Sequence, residues 1–442
     1  NYKRSNQTFS VETSLSTLFF REETMKKLLI AVLCLMLTGC AAPAPSDGSG
    51  PDRSVSPDIP APSPAASSAP NGESGPPQAS PETDPETAEN PSASQEPSES
   101  SLGPQNQEQI IQELLSAMTL EEKVGQMFFV RCPETGGAEL AAQYKVGGYL
   151  LFGRDFKDKT AQQVRDDIQS YQDASGIPLL IGTDEEGGTV VRASSNPDLF
   201  PQREPAPQTL FAQGGMDLIL QDARQKSMTL LDLGVNVNFA PVADVSTDPA
   251  DFIYARSFGQ DAQATANYVA QVVGVMGEEQ IGSVLKHFPG YGNNVDTHTG
   301  IALDQRPYET FQTSDFLPFQ AGIQAGADAV LVSHNIAASM DESLPASLSP
   351  TVHKILREEL GFDGVVLTDD LAMDAVMEYA QNGSAAVLAI QAGNDMVVTT
   401  DFQTQIPQVI HAVQSGVIAE SQIDQAVTRV LNWKYELGLL GN

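Results

Sequence analysis

The sequence contains few basic residues and few cysteines. Its 24 Lys and Arg residues stand against 57 Asp and Glu residues, which gives a formal net charge of -33. Such a charge disfavours nucleic acid and anionic lipid headgroups as direct partners. The three cysteines, Cys34, Cys40 and Cys132, are too few for a disulfide framework, and no Cys/His ligand spacing surrounds Cys132. We therefore expect no nucleic-acid partner, no metal, no cofactor and a buried thiol at Cys132, while neutral ligands remain open.

The sequence also lacks an apolar run long enough to cross a bilayer as a permanent helix. The run at residues 28–37 follows a methionine and two lysines and has the length of a signal-peptide core. It leads into Leu-Thr-Gly-Cys, which resembles the lipobox of bacterial lipoproteins and implies lipidation of Cys40. We interpret residues 25–40 as this signal, with an ordinary cleaved signal as the alternative, and residues 1–24 as upstream translation. The expected location is extracytoplasmic, with the lipid anchor as the only contact with the cell membrane.

Large apolar residues are almost absent from residues 41–105, which contain 15 of the 29 prolines. The stretch also carries ten acidic residues and one basic residue. A segment of this composition cannot bury enough apolar surface to fold. We predict that it is a disordered linker between the anchor and a folded part at residues 106–442.

Residues 106–442 contain eight short apolar runs separated by helical patterns. Runs this rich in Val, Ile, Leu and Phe are typical of strands buried on both faces of a parallel sheet. A doubly wound sheet would have a glycine-rich phosphate turn after its first strand, and none is present. The predicted fold is therefore α/β, a single (β/α)8 barrel, closed by a helix that stops at Gly438 and followed by no second domain. The runs are residues 126–131, 148–153, 179–184, 235–242, 283–289, 329–334, 364–369 and 395–399.

Polar side chains gather at the carboxyl ends of these runs rather than along them. The active site of a barrel lies on that face, where strand ends and the following loops meet. We therefore expect the site among Arg131, Asp184, Asp244, Lys286, His287, His334 and Asp369.

The segment from Lys286 to His298 is the richest in chemistry. It leaves the fifth run and enters a loop that contains Gly290 and Gly292, which allow sharp turns. Side chains two apart in an extended segment point the same way, so Asp296 can orient the imidazole of His298. The pair could supply general acid/base catalysis, and the alternative is a solvated loop pair.

These motifs resemble family 3 of the glycoside hydrolases, specifically the β-N-acetylhexosaminidase type that acts on cell-wall sugars. The family pattern K-H-F/I-P-G-H/N-G…D-S/T-H is matched between Lys286 and His298. Further matching segments follow one another in the family's order and extend the resemblance over residues 106–442: 148–154, 184–188, 238–245, 256–259 and 361–371.

The resemblance implies that Asp369 is the nucleophile and that His298, held by Asp296, is the acid/base. It also places four side chains at the sugar's hydroxyl and acetamido groups: Asp184, Arg256, Lys286 and His287. Asp370 competes with Asp369, but strand alternation predicts that only one of the two faces the pocket. We expect Asp370 to cap the next helix instead.

Several residues fit the resemblance less closely. Tyr291 replaces the commoner His or Asn, Thr189 stands where the family often has Arg, and the span from Gly292 to His298 is one residue short.

Glu186 is expected to shape a turn with the two following glycines. His334 could contact ligand or fill the barrel mouth.

The sequence thus predicts a monomeric, retaining glycosidase that releases terminal β-linked N-acetylhexosamine from cell-wall or related glycans through a covalent intermediate. The alternatives are a β-glucosidase or phosphorylase of the same family, and a surface lipoprotein that binds sugars without cleaving them. A metal-dependent hydrolase is a further rival, but the first two runs offer no cluster of ligands.

Overall fold

The computed structural model describes residues 104–294, 302–373, 376, 379 and 384–441. The predicted signal with Cys40, most of the predicted linker, and the predicted pair Asp296 and His298 lie outside the described residues. None of the described helices is long and apolar enough to cross a membrane.

Ten strands alternate with helices along the described residues. The strands are β1 (Phe128–Arg131), β2 (Gly148–Leu151), β3 (Leu180–Thr183), β4 (Val237–Asn238), β5 (Gly282–Phe288), β6 (Leu303–Asp304), β7 (Ala329–Val332), β8 (Ile336–Ala337), β9 (Val365–Thr368) and β10 (Val397–Thr399). The helices are α1 (Pro104–Ala117), α2 (Leu120–Gln126), α3 (Gly137–Tyr144), α4 (Gly153–Phe156), α5 (Ala161–Ala174), α6 (Pro207–Asp232), α7 (Ala262–Glu278), α8 (Tyr308–Thr310), α9 (Phe316–Gln324), α10 (Pro350–Lys354), α11 (Ala385–Ala392), α12 (Phe402–Gln414) and α13 (Glu420–Glu436).

Eight of the strands form one parallel sheet in the order β10-β1-β2-β3-β4-β5-β7-β9. A parallel bridge between Leu367 and Met396 joins the two edges and closes the sheet into a barrel. Each predicted apolar run overlaps one of these strands, so the predicted barrel is confirmed. The short pair β6 and β8 was not predicted.

Alternation along the strands divides the core into two clusters. In β1, Phe129 packs inside the barrel, whereas Phe128 and Val130 pack outward against the helices. In β9, Leu367 faces inward and Val366 outward. Both faces of each strand are therefore apolar, which is why the runs are continuous rather than alternating.

Local signals set two of the helix ends. Thr119 and Glu122 form a capping box at the start of α2, with each side chain accepting a hydrogen bond from the other's backbone N–H. The last helix, α13, ends at Glu436, two residues before Gly438. Gly438 has a φ of +71°, a conformation that favours glycine. The predicted glycine stop is thus observed.

Candidate active site

The end of β5 brings two consecutive side chains into one cavity. The pairing of β5 with β7 shifts in register between Lys286 and Phe288, so strict alternation is lost there. Lys286 and His287 consequently both border the cavity at the carboxyl ends of the strands. They are only 2% and 5% exposed, so the barrel holds both rigidly.

Lys286 is fixed by two carboxylates from the loop that follows β3. Its ammonium lies 2.8 Å from Asp184 Oδ1 and 2.6 Å from Glu186 Oε1. Burial alone would raise the pKa of Asp184, but the positive charges of Lys286 and Arg192 outweigh it and lower that pKa. Glu186 shows the same balance, with its pKa held well below the ordinary value by Lys286 and Arg256. Both acids are therefore anionic, and both position Lys286.

The contacts of His287 with Arg256 and Asp244 indicate which of its ring nitrogens carries a proton. Arg256 donates to Glu186 through Nε at 3.0 Å and Nη2 at 2.8 Å, and Nη2 also lies 3.0 Å from His287 Nε2. A guanidinium can only donate, so His287 Nε2 accepts and Nδ1 carries the proton. Nδ1–H then donates to Asp244 Oδ2 at 2.7 Å. His287 is held as a neutral imidazole with its position set from both sides.

Asp369 and Asp370 follow β9, and both border the same cavity. The prediction that only one of them faces the pocket is therefore wrong. The strand ends at Thr368, so the alternation that governs its side chains no longer applies beyond it. The backbone N–H of Asp369 donates to Val332 O at 2.9 Å, which anchors it to β7.

Asp370 has a structural role at this strand end. Its Oδ1 accepts a hydrogen bond from Ala372 N at 3.0 Å, within a turn at residues 371–373, whereas a helix cap was predicted. Burial raises the pKa of Asp370, and the charge of Asp369 raises it further. Two carboxylates with different surroundings thus stand side by side.

The cavity around these groups has a volume of about 310 Å³, within the usual range of small-molecule sites. Acidic, basic and apolar side chains share its wall, a composition suited to a neutral polyol that needs charge-assisted hydrogen bonds and an apolar face. Its lining includes Arg131, Phe152, Asp184, Arg192, Phe239, Arg256, Lys286, His287, Leu331, Asp369, Asp370, Met373 and Val398.

The sequence analysis did not predict the roles of two side chains at the cavity, Arg192 and Glu186. Arg192 borders the cavity and pairs with Asp184 at 3.1 Å, yet its only sequence signal is its place in the loop after the double glycine. Glu186 was expected to shape a turn, and instead its carboxylate holds both Lys286 and Arg256. The glycines do form the turn: Gly187 has a φ of +94°, and a Cβ there would lie 2.2 Å from Pro205 O.

Three remaining residues are buried and do not line the cavity. His334 is fully buried and contacts Ser347 Oγ through Nδ1 at 2.7 Å and the Asp370 carbonyl through Nε2 at 3.0 Å, so it fills the barrel mouth. Tyr291 packs edge-on against His287, with 5.2 Å between ring centroids. Cys132 is buried, which raises the pKa of its thiol to about 12, as expected of a structural cysteine.

Comparison with known proteins identifies the family of this chain. Residues 119–433 match the model of the glycosyl hydrolase family 3 N-terminal domain. A β-hexosaminidase of Stenotrophomonas maltophilia (strain R551-3) is 35% identical over 318 residues, which cover 69% of this chain and 89% of that relative.

Solved structures show the same barrel. A family 3 β-N-acetylglucosaminidase from Paenibacillus sp. str. FPU-7 has 30% identity and a TM-score of 0.67, over 74% of this chain and 64% of that one, so this chain spans under two thirds of its length. A β-N-acetylhexosaminidase from Beutenbergia cavernae DSM 12333 has 29% identity and a TM-score of 0.62, over 71% of this chain and 98% of that one. The predicted family is confirmed, and the chain belongs to glycosyl hydrolase family 3.

Proposed function

We propose that this glycosidase is a retaining β-N-acetylhexosaminidase that releases terminal N-acetylglucosamine from cell-wall or related glycans. The observation that carries the proposal is that Asp369 borders the same cavity as the network of Asp184, Arg256, Lys286 and His287. The network offers donors and acceptors for a sugar ring, and a carboxylate lies beside the place where that ring would be held. The names of the relatives support an N-acetylhexosamine as the sugar.

In the proposed reaction, Asp369 attacks the anomeric carbon and the bond to the leaving oxygen breaks. His298, oriented by Asp296, gives that oxygen a proton. His298 then takes a proton from water, which attacks the anomeric carbon and frees Asp369. The anomeric configuration is inverted twice and hence retained.

The test is covalent trapping with a slow fluorinated amino-sugar substrate. We expect a mass increase on the peptide that carries Asp369, and Asp369→Asn should lower kcat by at least ~1,000-fold, as expected when the nucleophile of a covalent mechanism is lost. Asp370→Asn is the matched control, and it should still be labelled at Asp369. A label on another residue, or an unimpaired Asp369→Asn variant, would contradict the mechanism.

The natural substrate and the location are proposals of the same kind. Release of 4-nitrophenol from a panel of aryl glycosides, with and without phosphate, separates N-acetylhexosaminide hydrolysis from β-glucoside hydrolysis and from phosphorolysis. Membrane fractionation of the full chain and its Cys40→Ser variant tests the lipid anchor. Equal release of both forms into the soluble fraction would contradict it.

A further inference from the structure

Among the described residues, four Lys and Arg side chains border the active-site cavity, and three of them are paired with acids. Lys286 pairs with Asp184 and Glu186, Arg256 with Glu186, and Arg192 with Asp184. Arg131 is the fourth, and no acidic group of the described residues lies within ion-pair distance of it. No described group accepts a hydrogen bond from its guanidinium either, and its Nε is buried without a partner.

The plane of Arg131 is nevertheless fixed. It is the last residue of β1, and its guanidinium carbon lies 4.3 Å from the centroid of the Phe152 ring. Stacking of this kind holds a guanidinium by its face and leaves the N–H groups along its edge available. Arg131 is therefore a preorganised donor set at the wall of the cavity.

An unpaired guanidinium in a partly enclosed site carries a desolvation cost that a partner would offset. Neutral sugar hydroxyls already find charged partners in Asp184, Lys286 and Arg256, so they do not require a further full charge. The ligand that matches the fork of a guanidinium is an oxyanion, which accepts two parallel hydrogen bonds. The net charge of the chain does not prevent such a contact, because distant surface charges are screened beyond ~8 Å at physiological salt.

The position of Arg131 indicates which part of the substrate carries the oxyanion. Arg192 lies against the same Phe152 ring, at 5.1 Å from its centroid, and also pairs with Asp184. Arg131 is thus on the side of the cavity where the network would hold the hydroxyl groups of the sugar.

We infer that Arg131 and Phe152 form a subsite for an anionic substituent, such as a sulfate ester, phosphate ester or carboxylate, on the N-acetylhexosamine bound in the cavity. This inference rests on the proposed function and extends its substrates to anionically substituted amino sugars.

The experiment compares 4-nitrophenyl N-acetyl-β-D-glucosaminide with its 3-, 4- and 6-O-sulfated derivatives. We expect the unaltered protein to hydrolyse at least one sulfated substrate with a kcat/KM no lower than that of the parent compound. Arg131→Gln should lower kcat/KM for that substrate at least tenfold more than for the parent, and Arg131→Lys should recover part of the difference. Arg165→Gln, on the outer surface, is the control, and thermal unfolding checks the fold of each variant.

The outcomes separate this inference from the proposed function. If the parent compound is hydrolysed but no sulfated substrate is, or if Arg131→Gln affects both alike, the subsite is wrong and the glycosidase stands. If no N-acetylhexosaminide is hydrolysed, the proposed function fails first. Inorganic phosphate could instead accelerate cleavage of the parent compound, with Arg131→Gln abolishing that effect. Arg131 would then bind free phosphate as the acceptor, and the inferred subsite for an anion on the sugar would be wrong.

Discussion

At the scale of single residues, Glu186 links two cations of the site. Its carboxylate is buried and contacts the side chains of Lys286 and Arg256, which come from different parts of the chain. Glu186 and His287 are the described side chains that hold the guanidinium of Arg256. Without the charge of Glu186, the contact with His287 remains. The geometry of both cations therefore depends on one side chain that does not itself border the cavity.

Glu186→Gln should accordingly lower kcat/KM for an N-acetylhexosaminide by about 100-fold, because a displacement of substrate-positioning side chains by ~1 Å can cost that much. Steady-state kinetics on an aryl glycoside measure this effect, with thermal unfolding recorded alongside. Glu358→Gln, which removes an exposed pair with Lys354, should change neither quantity. Wild-type kinetics in Glu186→Gln would show that Lys286 and Arg256 are positioned by other contacts.

At the scale of elements, the loop after β3 is held against the segment that precedes α6. Gly188 N donates to Glu204 O at 2.9 Å, and Glu204 N donates to Ser194 Oγ at 3.0 Å. Ser194 in turn donates to Glu185. The loop that carries Asp184 and Glu186 is thus shaped by hydrogen bonds that involve Ser194 and Glu204.

The tightness of this contact makes Gly187 sensitive to any side chain. Gly187→Ala should lower the free energy of unfolding by at least ~2 kcal/mol, because the new Cβ clashes with a backbone carbonyl and the positive φ disfavours alanine. Chemical denaturation measures this loss. Gly274→Ala is a matched control in the open surroundings of α7, and it should raise stability by ~0.5–1 kcal/mol. Equal behaviour of the two variants would contradict the close approach.

The side chain of Glu204 gives the same contact a dependence on pH. Its carboxylate is 3.7 Å from the ammonium of Lys226, which lies 3.0 Å from Asp222. Burial raises the pKa of Glu204 to about 8, and hydrogen bonding to Asp222 and the charges of Asp222 and Glu185 add to the rise, while Lys226 opposes it. The native state therefore keeps a proton that the unfolded chain releases near pH 4.5.

The stabilisation from this proton is complete below pH 4.5 and is lost as pH rises to about 8. Glu204→Gln, which mimics the protonated acid, should lack that loss. Over the same range, the unfolding free energy of the unaltered protein should fall relative to the variant by on the order of 1–4 kcal/mol. Chemical denaturation of both proteins at pH 5, 7 and 9 tests this expectation. If their unfolding free energies change with pH in parallel, Glu204 is ionised throughout the range.

At the scale of the whole molecule, α13 closes the amino-terminal end of the barrel. Trp433 packs with the inner cluster and lies against Gly282 at the start of β5. The next residue, Lys434, is fully buried and donates to Gln126 Oε1 at 2.5 Å. Burial lowers the pKa of Lys434 to about 7, so the barrel end encloses an amine that is costly to protonate.

Lys434→Met should therefore stabilise the protein most at pH 6, where the buried amine is charged. The gain should be roughly 2–3 kcal/mol, because relief of the buried charge exceeds the loss of the hydrogen bond to Gln126. As pH rises from about 7 toward 10.5, the native state has lost the proton that the unfolded state still binds. The unaltered protein gains stability over that range, and the advantage of the variant shrinks. A constant difference between pH 6 and pH 10 would contradict the low pKa.

Much of the molecule is determined by its sequence. The eight apolar runs predict the barrel because strands buried on both faces must be continuous in Val, Ile, Leu and Phe. The polar residues at their ends predict the face of the site, and the motifs around Asp184, Lys286 and Asp369 identify the family. These signals are local, so they can be found without knowing which parts of the chain meet.

The tertiary structure decided the contacts between residues that are far apart in the sequence. The register shift in β5 turns both Lys286 and His287 into the cavity, and Asp369 and Asp370 share it because they lie past the end of their strand. Glu186 reaches Arg256 across 70 residues, and Arg131 lies beside Phe152 with no acid to pair with among the described residues. Such pairings depend on barrel closure, which brings strand ends together irrespective of their separation along the chain.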